Sequence, residues 1–290
     1  MTAKRAAALL LALTLSLTAC GAKKAPETGA AADLEVHFFD AGAADAILLT
    51  TENSAVLIDA GEQGFGKTIL AYLAERGVKR LDCLIVTHFD QDHVGGAAKV
   101  LNSVEVGAVL QSNRPKDSEA YEKYLRALEN AGVEPDTVRE TRAFTLDGVS
   151  YEIDPPRWAD YASDESNNSS LIVSVTNGET RFLFTGDAQT ERLAEFLDAN
   201  RAACDVLKVP HHGRDEPLLP ALLESTKPTY AVVTSSDEEP ESAATVEALE
   251  RAGATVLLTR DGAVTLYSDG AVVRTDGMSV STKNQFAIRP

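Results

Sequence analysis

From residue 34 onward the chain alternates short apolar runs with amphipathic stretches, the pattern of strands and helices in turn. Strands are predicted at 34–39, 46–50 and 55–59, the last closing on Gly61. Residues 67–76 place Ile69, Leu70 and Leu73 on one helical face, and 82–87 (DCLIVT) is the continuous apolar run of a buried central strand. A helix occupies 94–101 and a strand 106–110, and 117–130 sets Tyr121, Tyr124, Leu125 and Leu128 at helical spacing, a packing face. In the second half, Asn177-Gly178 predicts a hairpin between 170–176 and 180–185. Helix 189–199 carries Leu193, Phe196 and Leu197, and strand 204–209 runs into Pro210. Helix 217–225, strand 229–234, helix 242–251 and strand 254–258 follow, and Asp269-Gly270 closes a hairpin between 263–268 and 271–274. No repeat or low-complexity linker breaks this stretch, so 33–275 reads as one domain and 276–290 as a tail without pattern. Strands in two blocks, joined by hairpins and crossover helices, predict an α/β sandwich of two mixed sheets with helices on the outer faces.

The first residues follow a different rule. Lys4 and Arg5 precede an apolar run over 6–17, then Leu17-Thr18-Ala19-Cys20. That is the layout of a secretory signal over 1–19, too short for a bilayer span. The ending resembles a bacterial lipobox, which implies cleavage before Cys20 and lipid on its sulfur. Residues 20–32 then read as a lipidated cysteine and flexible tether. The expectation is an exported protein, lipid-anchored to the outer face of a bacterial membrane. Cys83 and Cys204 lie in apolar runs and read as buried thiols, with a disulfide between them left open.

Composition narrows the function classes. The 290 residues are 44% hydrophobic and 24% charged, which excludes a disordered, collagen-like or multi-span membrane chain. Asp plus Glu number 44 against 27 for Lys plus Arg, a formal net charge of −17. Such a surface repels phosphate backbones, so stable nucleic-acid binding is not expected as the main task; a nuclease with its positive charge concentrated in one metal cleft is still allowed. Arg114, Lys116, Arg139 and Arg142 read as scattered solvated charges. Oligomeric state is not legible.

The chemistry gathers around histidine. Four of the five histidines fall in two windows, His88-Phe89-Asp90-Gln91-Asp92-His93 and Pro210-His211-His212-Gly213. The fifth, His37, alternates with apolar neighbours and reads as structural. The first window puts four ligand-type side chains just after a buried strand, and nitrogen with carboxylate oxygen suits zinc, manganese or iron. Thr185-Gly186-Asp187 delivers a carboxylate after another strand. One carboxylate there can bridge two cations about 3.5–4 Å apart. Asp45 and Asp59 read as loop and strand-end carboxylates.

Together, FFDAGAADAILL…AVLIDAG, LIVTHFDQDHVGG, SNNSSLIV…FLFTGDA and DVLKVPHHG resemble the metallo-β-lactamase superfamily, and within it the C-terminal hydrolase domain of the ComEC competence proteins and its stand-alone relatives. The resemblance implies an αββα sandwich, two divalent ions (Zn or Mn) and hydrolysis by metal-activated hydroxide. It assigns His88 and Asp90 to one metal and Asp92 and His93 to the other, with Asp187 between them. His212 completes the second set, though His211 could exchange with it. Asp92 or His211 would protonate the leaving group. Where the superfamily usually has a further histidine before 170–176, Asn167 and Asn168 stand as substrate-binding candidates. Fewer nitrogen ligands weaken the preference for zinc and leave β-lactam hydrolysis poorly supported. The implied function is an exported metal-dependent hydrolase of phosphodiesterase type. An ester, lactone or phosphorylcholine-type small-molecule substrate, or a non-catalytic metal-binding lipoprotein, is the alternative.

Overall fold

The computed structural model describes residues 31–163, 165–199 and 203–275. The expected signal sequence, Cys20 and the tail 276–290 lie outside the described residues. The chain opens with β1 (Leu34–Phe38), β2 (Ile47–Thr50), β3 (Ala55–Ile58), α1 (Gly66–Glu75), β4 (Arg80–Leu81) and β5 (Cys83–Val86). It continues through α2 (Gln91–Val94), α3 (Ala97–Leu101), β6 (Glu105–Val106), β7 (Val109–Gln111), α4 (Glu119–Ala131) and β8 (Asp136–Thr137). The hairpins β9 (Arg142–Leu146)–β10 (Val149–Asp154) and β11 (Ile172–Asn177)–β12 (Thr180–Phe184) come next. Then follow α5 (Thr190–Asp198), β13 (Val206–Lys208), α6 (Leu219–Thr226), β14 (Tyr230–Val233), α7 (Ala243–Arg251), β15 (Thr255–Leu258), β16 (Val264–Ser268) and β17 (Val273–Thr275).

One sheet has the order β17-β16-β1-β2-β3-β5-β7-β8, the other β15-β14-β13-β12-β11-β10-β9, and β4 pairs with β6 alone. Each sheet is mixed: β3, β5, β7 and β8 run parallel, as do β12 to β15, while the remaining pairs are antiparallel. Strand alternation explains the layering, because successive side chains point to opposite faces. Val36, Phe38, Ile47, Leu49, Val56, Ile58 and Ile85 meet Tyr151, Val173, Val175, Phe182, Phe184 and Val206 between the sheets. Leu48, Leu57, Leu84 and Val86 point the other way, onto Ile69, Leu73, Val100, Tyr124 and Leu128 of the first helical layer. Leu183, Leu207 and Ala231 face Leu193, Phe196, Leu222 and Leu249 of the second. Each fully buried Leu or Phe in these layers contributes about 1.5–3 kcal/mol. The αββα sandwich is therefore the observed architecture.

Local departures have local causes. The helix expected over 94–101 is two pieces joined at Gly95-Gly96, where the backbone packs so closely that a Cβ on Gly96 would sit 2.1 Å from the Ala60 carbonyl oxygen. The β9–β10 hairpin is absent from the sequence reading because β9 is a largely exposed edge strand with little apolar alternation. Its turn is Asp147-Gly148, with φ of 46° and 82°, the backbone of a type I′ hairpin. In the second hairpin Asn177 pairs with Thr180, so the turn residues are Gly178 and Glu179, one position later than expected. Cys83 lies in the inter-sheet core and Cys204 beneath the second helical layer. Both are free, and burial pushes each thiol up to about 12. His37 stacks on Tyr72 at 4.2 Å, bonds Thr265 Oγ1, and is held down to about 4 chiefly by burial.

Candidate metal centre

The polar groups collect where strands of both sheets end along one edge. The loop after β5 carries Thr87 and His88, Asp90 stands at the N-terminus of α2, and Asp92 and His93 lie within that helical turn. The close approach at Gly95-Gly96 lets the Ala60 N–H reach the His93 carbonyl at 2.8 Å, which pins the turn against the end of β3. From the second sheet, β12 delivers Asp187 through Gly186 at φ 51°, and β13 delivers His211 and His212 after Pro210. His211 and His212 both have left-handed backbones, at φ 48° and 53°, an arrangement costing about 1–3 kcal/mol per residue that clusters at functional sites.

Asp92, His93, Asp187 and His212 converge, each offering an atom within 4.8 Å of the others. Asp187 Oδ1 is 3.2 Å from His93 Nε2 and its Oδ2 3.1 Å from His212 Nε2; Asp92 Oδ2 lies 3.2 Å from His212 Nε2 and 3.6 Å from His93 Nε2. His93 Nε2, His212 Nε2 and Asp187 Oδ1 are buried without a hydrogen-bond partner, the state expected of ligand atoms that await a cation. Opposite nitrogens are already engaged. His93 Nδ1 meets Asp59 Oδ2 at 2.8 Å, and His212 Nδ1 donates to the Thr234 carbonyl at 2.9 Å, which turns both Nε2 atoms into the group. These residues fit a divalent ion. A second cluster of Asp45, Asp59 and His93 does not, because its His93 nitrogen is the one committed to Asp59 and the Lys208 ammonium lies 2.6 Å from Asp45 Oδ2.

Electrostatics follow the geometry. Burial opposes ionisation of Asp187, yet the His212 and His93 imidazoles and the Lys208 ammonium hold it well below the usual carboxylate range. Burial likewise opposes charge on His212, but the Asp187 and Asp92 carboxylates lift it to about 9. His93 rises in the same way beside Asp187, Asp92 and Asp59, whereas burial and the neighbouring His93 lower His88. Lys208 is fully buried, 3.0 Å from the Gly186 carbonyl and 3.5 Å from Asp187 Oδ1; Asp45 and Asp187 outweigh its burial and raise it.

Other expected residues stand apart from this group. His88 is buried, with Nδ1 near Thr87 and Ser170 and an unpartnered Nε2 lying 4.0 Å from Asp90 Oδ1. Asp90 is held by Lys116 and Ser166. His212, not His211, joins the four-ligand group; His211 sits between the Asn167 and Gln189 amides. Asn167 thus flanks the centre. The substrate-contact reading of Asn168 is corrected: it is fully buried, accepting from Arg192 N and donating to the Ser163 carbonyl. Asp45 and Asp59 are more than loop and strand-end carboxylates, since Asp59 bonds His93 of the centre and Asp45 pairs with Lys208 beside it. Lys116 likewise departs from the solvated reading, with its pairing to Asp90. Lys208 was missed altogether; the signal was a lysine inside the apolar run VLKV of a central strand.

The sequence profile of the metallo-beta-lactamase superfamily matches residues 39–235, and the chain belongs to that superfamily. Its curated relatives include competence proteins. It is 29% identical to ComE operon protein 3 of Bacillus subtilis over 69% of this chain, and 30% identical to competence protein ComA of Neisseria gonorrhoeae over 72%. The match spans only 28% of each relative's length. Among solved structures, the metallo-beta-lactamase fold protein YhfI of Bacillus subtilis superposes with a TM-score of 0.58 at 10% identity, covering 81% of this chain and 100% of that one. The fold is thus that of a superfamily of hydrolases, with competence-protein homologues and a group of side chains that could hold a metal ion.

Proposed function

We propose that this protein is a metal-dependent hydrolase of phosphodiesterase type, exported and held at the outer face of a bacterial membrane through lipidated Cys20. The observation that carries the catalytic reading is the convergence of Asp92, His93, Asp187 and His212, with three buried ligand atoms left unpartnered. Asp92, His93, Asp187 and His212 would hold a divalent ion, which would supply Lewis acidity to acidify a water at neutral pH and polarise the scissile bond. Asp59 and the Thr234 carbonyl orient the two imidazoles, while the Lys208 ammonium offsets the negative charge of Asp45 and Asp187. His211, partly open to solvent and outside the ligand group, is placed to deliver a proton to the leaving oxygen. The likeness to competence proteins supports a phosphodiester substrate. The net charge of −17 supports a small or single-stranded one over a duplex gripped along its backbone.

Hydrolysis of bis-p-nitrophenyl phosphate with manganese or zinc tests the reading. Activity is expected in the wild type and absent in Asp92→Ala and Asp187→Ala. Equal turnover by folded, metal-free protein overturns it, and turnover of lactones or esters alone replaces the phosphodiester assignment. For the anchor, Cys20→Ser is expected to move the protein from the membrane to the soluble fraction. Among the described residues no helix is long and apolar enough to cross a membrane.

A further inference from the structure

The two halves of the centre are unequally built. Beside the four-ligand group, His88 and Asp90 are 4.0 Å apart, and among the described residues no third histidine, cysteine or acidic side chain closes on both. Where a further imidazole would complete that half, the segment 167–170 offers amides and hydroxyls. Ser170 Oγ sits 3.4 Å from His88 Nδ1 and accepts from the Asp187 N–H. The Asp90 oxygen nearest His88 is Oδ1, and that same oxygen takes the Lys116 ammonium at 2.5 Å and the Ser166 hydroxyl. Lys116 Nζ also reaches Ser166 Oγ at 3.2 Å, so ammonium, hydroxyl and carboxylate form one closed cluster at the mouth of the centre.

We propose that Lys116 sets how many cations the centre holds: its ammonium occupies the Asp90 oxygen that a second divalent ion needs beside His88, so that ion binds only by displacing it. The inference rests on the metal centre of the proposed function and deepens it. The four-ligand group fills first, because among the described residues no ammonium pairs with Asp92, His93 or His212, and its imidazoles are already oriented by Asp59 and Thr234. Lys208 does not play the same part. It approaches Asp187 only at 3.5 Å, and its close partner is Asp45, outside the ligand group. Lys116 is a positioning residue here, acting on the metal through Asp90.

Manganese titration of the chelator-stripped full chain, read by calorimetry and by electron paramagnetic resonance, tests this. The wild type is expected to take one tight equivalent with an isolated-ion spectrum and to bind a second weakly. Lys116→Met should tighten the second equivalent by roughly ten- to a hundredfold, the scale on which partners of metal-binding side chains act, and produce a coupled-pair spectrum. Lys116→Arg keeps the positive charge and should keep the second site weak. Asp90→Asn added to Lys116→Met should abolish the gain. A second equivalent bound equally well by wild type and Lys116→Met overturns this inference alone; a wild type that holds no first equivalent overturns the metal centre and this inference with it.

Discussion

Asp59 and His93, separated by 34 positions in sequence, meet with Oδ2 2.8 Å from Nδ1, both fully buried. Asp59 reaches this position from the end of β3 with a left-handed backbone at φ 56°, and also accepts from the Thr87 N–H and hydroxyl. The carboxylate fixes the ring so that Nε2 faces Asp187. Asp59→Asn is therefore expected to weaken metal binding by about ten- to a hundredfold while the fold persists. Calorimetric titration with zinc or manganese checks it, and unchanged affinity would remove Asp59 from the centre's support.

Lys208→Met leaves the Asp45 carboxylate buried without its ammonium. Removing one partner of such a pair costs about 3–5 kcal/mol, so a marked drop in urea midpoint is expected. Asp45→Asn in the same chain should recover part of the loss. A double variant no more stable than Lys208→Met alone would mean that the ammonium acts elsewhere.

Proton release should accompany metal uptake. His212 carries a proton up to about pH 9 and His93 shifts in the same direction, so at neutral pH an incoming cation must expel protons and affinity rises with pH. Calorimetry in buffers of different ionisation enthalpy counts them, and a buffer-independent heat would contradict the charge state.

Stability of the metal-free protein follows from the same groups. The folded pKa of His212 lies above its ordinary 6.5, so its contribution is complete below pH 6.5 and fades as pH rises through about 9. Asp92 and Asp187 are depressed below 3.8, so theirs is complete above that value and is lost on acidification. Denaturation midpoints across pH should peak between these limits, and metal should flatten the alkaline side.

Gly96→Ala tests the support beneath α2. The added methyl carbon would meet the Ala60 carbonyl oxygen at 2.1 Å, so about 1–3 kcal/mol of destabilisation is expected, together with weaker metal binding through displaced His93. A variant as stable and as metal-avid as wild type would show that the two loops separate easily.

The sandwich was readable because strand alternation and buried apolar runs are local signals, and β5 and the β11–β12 hairpin announce themselves within a few residues. Three clusters of ligand-type residues were readable for the same reason, each sitting just past a strand. What joins them was not. Asp59 and Asp45 resemble ordinary turn carboxylates until folding brings His93 and Lys208 against them across 34 and 163 positions. Choosing His212 over His211 required the backbone after Pro210, where two successive left-handed residues turn one imidazole inward to Thr234 and leave the other against Asn167. Asn168 seemed as available as Asn167, and only packing against Arg192 and Ser163 separates them.

Asp92 and His93 descend from the first sheet, Asp187 and His212 from the second. An ion shared among them would rivet the two layers along this edge, adding to the Lys208–Asp45 ion pair and the Thr234–Asp45 hydrogen bond that already cross between the sheets. Stripping that rivet should loosen amide protection at the seam long before the oily interior between the sheets gives way, so the molecule would gape like a hinged shell instead of melting at once.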